Sequence, residues 1–342
     1  MIDAGRFHVL VVAVGLMGLL SACSGGPAAK KAPGDPIDLH EELDSDETVE
    51  ALDAALVALG HRPRRLGGGR TFIKAMLTAP PQLVFNIAEG RGSRSREAHV
   101  PALCEMLGVP CTGSDPLAMA LTLDKALAKC VVQSAGIRTA PFRLIENLAQ
   151  LAGLDLPFPL FVKPCAEGSS IGVRTTSLVH DAGQLRRETE RCLGHYRQPV
   201  LVETFLPGAE LTVAVLGSGA RARVLGTMEI APADADIAGF VYGLEAKRNY
   251  KTLVRYHIPP RFPSGQRADA ERVALAAYRV LGCRDVARVD LRMDAEGHPH
   301  FMELNPLPGL NPVTGDICLI ANGIGMSHTA LIGSVIEEAL LR

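Results

Sequence analysis

Apolar and polar residues alternate most clearly in two short runs near the C-terminal end of the chain. Small or apolar residues take every second position from 287 to 293, the period of two that is expected of a half-buried strand. Asp-Ala-Glu-Gly at 294–297 has the composition of a turn, and residues 300–305 alternate again. The two runs therefore predict a β-hairpin.

The polar positions of this hairpin predict its chemistry. If the hairpin is symmetric about its Glu-Gly turn, Asp290 lies opposite Glu303 and Arg288 lies opposite Asn305, all on one face. Because like charges opposite each other destabilise a sheet, a cation is expected between the carboxylates, and carboxylate and amide oxygens suit Mg²⁺. Arg288 would suit an oxyanion or a phosphoryl oxygen. The stretch predicts a metal-phosphate site, and the alternative is an edge hairpin with a solvated acidic face.

The first 113 residues alternate between short buried strands and amphipathic helices. Strands are predicted at 9–14, 62–66 and 83–87, and helices are predicted after Ser45 or Asp46, at 71–77 and at 98–107. This order predicts a parallel sheet with helices on its faces. Residues 89–96, rich in Gly, Ser and Arg, follow the third strand at the edge where ligands of such sheets bind; alternatively, their arginines are only solvated.

The middle of the chain carries a Gly- and Ser-rich turn after a buried strand. A helix from Ser114 or Asp115 is predicted to hold Asp124-Lys125 near its end, and residues 160–164 form the strand. The turn at 167–173 offers backbone N–H groups and hydroxyls to a phosphate. It also matches G-x-S-x-G with Ser170 as a nucleophile, but that elbow needs an immediate helix. Residues 171–176 instead predict a strand, with a helix only from about Asp181.

The last third is predicted to contain strands at 200–203 and 210–216, a basic loop at 242–252, a helix at 266–281, the hairpin and a terminal helix. A net charge of −2, an aromatic content of 4% and the absence of Trp argue against nucleic acid as a partner. Eight cysteines without a C-x-x-C pair give no zinc ribbon or redox motif. The 342 residues suit two or three structural units.

The N-terminus allows two interpretations. An apolar run ends in Leu20-Ser21-Ala22-Cys23, which resembles a lipoprotein signal, yet the preceding region carries only Arg6 and is offset by Asp3. The β-branched run at 9–14 is typical of a buried parallel strand. We therefore predict a first strand and a cytoplasmic protein without a membrane partner; the alternative is an exported lipoprotein.

Several motifs together resemble the D-alanine–D-alanine ligase family of the ATP-grasp superfamily. They are V-F-N-I-A-E-G (84–90), T-G-S-D…L-D-K (112–125), V-K-P-C-A-E-G-S-S-I-G-V (162–173), V-E-T-F-L-P-G-A-E-L-T-V-A-V-L (202–216), E-A-K (245–247) and R-V-D-L-R…M-E-L-N-P-L-P-G (288–309). The resemblance implies an α/β, three-domain ATP-grasp fold. An N-terminal parallel-sheet domain (1–113) would precede two α+β domains, at 114–202 and 203–342, that clasp ATP.

The resemblance also implies a set of ligand contacts. Mg²⁺, as two ions, or Mn²⁺ would be held by Asp290, Glu303 and Asn305. The ATP contacts would come from Lys125, Lys163, Glu167, Gly168, Ser169, Ser170, Glu203, Leu206, Glu210 and Lys247, with Glu203 and the backbone near Leu206 at the adenine and Glu210 at the ribose. The catalytic groups would be Arg288, Lys247, Ser169 and Gly309.

The implied reaction joins two amino-acid-like substrates. A carboxylate attacks the γ-phosphorus of ATP to give an acylphosphate and ADP, and an amine then displaces phosphate; a homodimer is compatible with the resemblance. The departures from the family pattern fall on the substrate side, where Glu89, Arg248 and Thr314 replace the expected residues and Glu41 or Glu42 would meet the first amino group. Because Glu89 and Arg248 change the charge, the acid and the amine can differ from D-alanine. Two rival functions are a serine hydrolase built on Ser170 and a lipid-anchored binding protein without catalysis.

Overall fold

A parallel pair of strands begins the fold, which is taken from a computed structural model that describes residues 9–12, 36, 38, 41, 44–234 and 239–342. Strand β1 (Val9–Val12) pairs in parallel with β2 (Leu83–Asn86), and Cys111 extends the pairing through a parallel bridge to Val84. Helices α1 (Asp46–Ala58), α2 (Gly69–Thr78) and α3 (His99–Leu107) connect these segments. The predicted first strand and the parallel arrangement are confirmed, whereas Cys23 and the rest of the lipobox lie outside the described residues.

The strand predicted at 62–66 is wrong. This segment has no regular structure, and of its residues only Leu66 is buried. Pro63 lacks the N–H that a strand needs, and the neighbouring arginines bind elsewhere: Arg64 Nη2 donates to the Ala79 carbonyl at 2.6 Å.

The middle of the chain forms a four-stranded antiparallel sheet in the order β3-β6-β4-β5. Its strands are β3 (Phe142–Ile145), β4 (Leu160–Pro164), β5 (Leu178–Val179) and β6 (Val200–Thr204), and α6 (Ala182–Tyr196) packs against β4. The predicted strand at 171–176 is wrong: this segment forms turns and a 3₁₀ turn at Thr175–Ser177 before β5. Because the sheet ends at Thr204, a division of the chain by sheets falls two residues after the predicted boundary at 202.

Two helices stand where one was predicted at 114–125. Helix α4 (Pro116–Leu123), capped by Asp115, ends at Asp124, whose backbone is extended. The Asp124 carboxylate accepts a hydrogen bond from Leu127 N at 3.0 Å and so caps α5 (Lys125–Ser134). The break makes Lys125 the first residue of a new helix, a position set by the preference of Asp for helix N-caps.

The last third forms a five-stranded antiparallel sheet in the order β11-β10-β7-β8-β9. Its strands are β7 (Glu210–Leu216), β8 (Arg223–Pro232), β9 (Val254–His257), β10 (Val286–Met293) and β11 (Pro299–Asn305). Helix α9 (Ser264–Val280) covers one face, and α10 (Asp316–Gly323) and α11 (His328–Leu340) cover the other together with α1. Alternate residues of β7 enter these two cores, Val213 on the α9 side and Ala214 on the α10 side.

The predicted hairpin register is confirmed at its charged end. Asp290 pairs with Glu303 and Arg288 pairs with Asn305. A β-bulge after Asp290 shifts the pairing, so Leu291 lies opposite Phe301. The turn is therefore centred one half-residue from the assumed symmetry point, and the bulge restores the opposition of the two carboxylates.

The segment at 242–252 is helical, which corrects the predicted loop. It contains α7 (Leu244–Arg248) and α8 (Tyr250–Leu253), two helices too short to show a clear period in the sequence. In the described part of the chain, no single helix is long and apolar enough to cross a membrane; only α10 and α11 taken together meet that length and composition, and they are bent by 110°.

Candidate active site

A cleft of about 930 Å³ lies between the two antiparallel sheets. Eight of the residues predicted to contact ATP line it: Lys125, Lys163, Glu167, Ser170, Glu203, Leu206, Glu210 and Lys247. Asp290, Glu303 and Arg288 line its inner end. The fold thus gathers side chains that are up to 178 residues apart in the sequence, from Lys125 to Glu303.

Two buried lysines meet Glu203 on the floor of this cleft. Lys163 Nζ lies 2.7 Å and Lys129 Nζ lies 2.8 Å from the Glu203 carboxylate. Burial by itself would raise the pKa of Glu203, but the two ammonium groups outweigh it and hold that pKa at about 2. Lys129 was missed in the sequence, where its only signal is a second lysine one helical turn after Lys125. Its side chain is fully buried, and burial lowers its pKa.

The inner end of the cleft concentrates opposite charges around Arg288. Its guanidinium lies 2.9 Å from Asp290, 2.7 Å from Asp316 and 4.0 Å from Glu303. Lys125 Nζ lies 3.2 Å from Glu303, and Asn305 Nδ2 donates to Asp290 at 3.2 Å. Burial would raise the pKa of Glu303, but Lys125, Lys163 and Arg288 lower it to about 2. Burial raises the pKa of Asp290 in spite of Arg288.

The turn at 167–172, called the phosphate loop from here on, covers the cleft. Ser169 and Ser170 have φ values of 48° and 59°, which non-glycine residues adopt rarely and mainly where the fold constrains them. Lys125 Nζ donates to the Glu167 carbonyl, and Gln198 Nε2 donates to the Glu167 carboxylate at 2.6 Å. The loop is therefore held in one conformation by side chains from both of its flanks.

The phosphate loop is joined to the helical segment at 242–252. Ser170 Oγ donates to the Tyr242 carbonyl at 3.1 Å, and Leu244 N donates to the Val173 carbonyl at 3.1 Å. Lys247 lies beneath this junction, 5.3 Å from the Tyr242 ring centroid. Burial, followed by the charge of Arg288, lowers the pKa of Lys247. Its ammonium is therefore held where a further anion would stabilise it.

The outer part of the cleft is organised by Arg292. Its guanidinium stacks 4.5 Å from the Phe205 ring centroid, donates to the Leu206 carbonyl at 2.6 Å and lies 3.2 Å from Glu210. Burial raises the pKa of Glu210 to about 7, with Arg292 opposing that rise. A flat, partly apolar wall and a carboxylate with a near-neutral pKa thus stand side by side.

A second cavity of about 950 Å³ opens on the other side of the carboxylate pair. Predicted residues that line it are Glu89, Gly168, Ser169, Asn305 and Gly309. Four residues line both cavities, namely Lys125, Glu167, Arg288 and Glu303. The two cavities therefore meet at the metal-phosphate site that the hairpin predicted.

The substrate-side residues are only partly brought together. Glu41 accepts a hydrogen bond from Arg248 Nε at 3.1 Å, and neither residue lines the two cavities. Thr314 lies on an exposed turn, where its N–H donates to Asn311 at 3.1 Å. Asp44, which was missed, does line the second cavity, and burial raises its pKa to about 6. Glu42 lies outside the described residues.

Ser170 does not have the surroundings of a nucleophile elbow. Its hydroxyl is engaged with the Tyr242 carbonyl, and the next helix, α6, begins only at Ala182, as the helical pattern from Asp181 predicted. The serine hydrolase alternative is therefore not favoured.

Comparison with known proteins gives the family. Residues 131–337 match the model of the D-ala D-ala ligase C-terminus. An uncharacterised protein of Sinorhizobium fredii is 32% identical over 299 residues, covering 85% of this chain and 87% of that protein. The D-alanine–D-alanine ligase of Bordetella petrii is 32% identical over 293 residues, covering 85% and 86%.

Solved structures give the same fold. The D-alanine–D-alanine ligase of Bacillus anthracis, crystallised with ATP, matches with a TM-score of 0.71 and 19% identity, covering 98% of both chains. This chain belongs to the D-alanine–D-alanine ligase family, a group of ATP-dependent, ADP-forming ligases with the ATP-grasp fold.

Proposed function

We propose that this protein uses Mg²⁺ and ATP to join two amino-acid-like substrates through an acylphosphate. The observation that carries the proposal is the shared wall of the two cavities. A nucleotide in the first cavity and a carboxylate in the second would meet at Lys125, Glu167, Arg288 and Glu303. A phosphoryl group can pass between them there without leaving the protein.

The inner end of the cleft fits a hard divalent cation. Asp290 and Glu303 are buried side by side on paired strands, and Asn305 adds an amide at hydrogen-bond distance from Asp290. Two carboxylates with such a neighbour are a donor set that Mg²⁺ accepts. When bound, the metal would supply charge neutralisation during phosphoryl transfer.

The chain's own cations do the remaining electrostatic work. Lys163 and Lys129 neutralise charge along the cleft floor, and Lys247 approaches from the helical segment at 242–252. Arg288, fixed by Asp290 and Asp316, presents a rigid guanidinium where the cavities meet and so can stabilise the oxyanion of the tetrahedral intermediate. The phosphate loop keeps water from the acylphosphate.

Asp44 is our candidate for the contact with the substrate's amino group. It lines the second cavity, whereas Glu41 is paired with Arg248 outside it. A buried carboxylate with a raised pKa gains most from an incoming ammonium group, because that charge stabilises its ionised form. Glu89, on the same wall, adds negative charge. This charge balance favours an amine-bearing substrate that differs in size or charge from alanine.

The direct test is ADP release from the purified protein with Mg-ATP and a panel of D- and L-amino acids, added singly and in pairs. We expect release that depends on at least one amino acid and on Mg²⁺, with an amide product detected by mass spectrometry. The proposal fails if ADP release is independent of every amino acid tested, or if a fluorophosphonate probe labels Ser170 and hydrolysis proceeds without ATP.

The pKa of Glu210 predicts how ATP affinity varies with pH. The ionised carboxylate accepts hydrogen bonds from both ribose hydroxyls, while the protonated form keeps fewer acceptors. Since its pKa is about 7, we expect KM for ATP to fall as the pH rises from 6 to 8. In Glu210→Gln the same series should keep only the change that arises from ATP's own ionisation. Identical pH profiles in the two proteins would remove Glu210 from the ribose contact.

We place the enzyme in the cytoplasm, where ATP is made. Intact mass of the natively expressed protein would show a retained N-terminus in that case, and an acylated Cys23 if the protein is instead an exported lipoprotein.

A further inference from the structure

The carboxylate of Asp38 is completely buried between the N-terminal unit and the phosphate loop. Gly172 N donates to it at 2.9 Å, and the Tyr196 hydroxyl donates to it at 2.9 Å. A buried carboxylate requires such donors, and hydrogen bonds to a charged acceptor are stronger than neutral ones. Asp38 therefore binds the last residue of the phosphate loop firmly.

Gly172 is held from both sides of its peptide plane. Its carbonyl accepts from Arg191 Nη2 at 2.8 Å while its N–H serves Asp38. Its φ is +80°, and a Cβ placed there would lie 2.4 Å from Pro164 Cγ. Only glycine fits this position, so the end of the loop is fixed in place and not merely near Asp38.

The other end of the phosphate loop is held by Arg96, which also belongs to the N-terminal unit. Its side chain is 7% exposed. Nη1 donates to the Ala166 carbonyl at 3.0 Å, and Nη2 lies 3.4 Å from the Glu167 carboxylate. The arginine-rich stretch at 89–96 thus has a definite contact that its sequence did not specify. Both ends of a loop from the central unit are gripped by side chains of the N-terminal unit.

We infer that Asp38 and Arg96 are positioning residues that clamp the phosphate loop from the substrate side. The inference rests on the proposed function, because it assigns the clamp to closure over the nucleotide. Asp44 and Glu89 of the same N-terminal unit line the substrate cavity. Closure of the nucleotide cleft is thereby tied to the part of the protein that receives the acid and the amine, which limits wasteful ATP hydrolysis.

The test compares Asp38→Ala and Arg96→Gln with wild type by hydrogen–deuterium exchange of residues 167–173. We expect faster exchange at this loop in both variants, with the interior of α6 unchanged. With Mg-ATP and the productive substrates, KM for ATP should rise about tenfold or more, as expected for the loss of charge-assisted hydrogen bonds. The phosphate released without amide product should also increase.

Three further variants separate positioning from stability. Asp38→Asn keeps an acceptor for Gly172 N and should restore much of the wild-type KM. Tyr196→Phe removes only the helix contact and should leave KM near wild type, as should Asp53→Ala, which removes a surface ion pair with Arg65 at 2.8 Å.

The inference is overturned if exchange at 167–173 is unchanged in Asp38→Ala and Arg96→Gln, or if only the melting temperature falls while KM and the product ratio stay at wild-type values. If Asp38→Ala does not fold, Arg96→Gln and Asp38→Asn decide the question. Exchange needs no turnover, so it judges the clamp even if wild type releases no ADP with any amino acid. That last result would count against the proposed function alone.

Discussion

Glu303→Gln is expected to lower kcat by at least about 10²-fold, since even partners that only orient a metal ligand contribute 10–100-fold. The substitution removes one of two opposed carboxylates and leaves Lys125, now 3.2 Å from a neutral group, without its ion pair. Both the metal and the lysine lose a partner at the point where the two cavities meet. The measurement is ADP release with saturating Mg-ATP and the best substrate pair.

A matched control for this variant is Glu271→Gln. Glu271 lies on α9 and accepts a hydrogen bond from Thr227 at 3.0 Å, away from the residues that line the cavities. It should retain wild-type turnover. Near-normal activity in Glu303→Gln, with the metal dependence unchanged, would contradict our assignment of the metal site.

Arg288→Lys should lower kcat by about 10²–10³-fold, the loss typical of removing one oxyanion donor. A lysine keeps the positive charge but not the planar fork that spans Asp290 at 2.9 Å and Asp316 at 2.7 Å. We expect KM for ATP to change little, because Lys163 and Lys129 remain on the cleft floor. Single-turnover measurements should place the defect in the chemical steps.

The control for Arg288 is Arg284→Lys, near the start of the same strand. Arg284 pairs with Asp115 at 2.7 Å and is 40% exposed, so its replacement should leave kcat unchanged. If Arg288→Lys instead raises KM for ATP and spares kcat, the guanidinium serves nucleotide binding and not the oxyanion.

The hairpin could be predicted from the sequence because its information is local. A period of two and a turn were enough to oppose Asp290 and Glu303, and a bulge that no pattern signals made the predicted register right. By contrast, the strands predicted at 62–66 and 171–176 failed. In the first, Pro63 and exposed arginines override the apolar content, and in the second, Gly172 turns the chain.

Partners that meet across the fold could not be predicted. A lysine in a helix is usually solvated, so nothing local distinguishes Lys129 until Glu203, 74 residues away in the sequence, is brought to 2.8 Å. Asp44 was missed because the segment before α1 has no periodicity to place it. Asp38 and Arg96 likewise gain their meaning only from Gly172 and Glu167 of another unit. The roles of the individual site residues remain predictions.

Strand β10 pairs with β7 along seven residues, from Val286 to Arg292, without a shift, while its pairing with β11 carries the bulge. The alignment of Asp290 is therefore dictated by Thr212 of β7, whose hydroxyl donates to it at 2.8 Å, and not by the length of the exposed turn at 294–298. Changes in that turn are absorbed on the β11 side. The catalytic geometry is thereby insulated from the most variable kind of surface segment, which leaves the hairpin tip free to accept an epitope or a label.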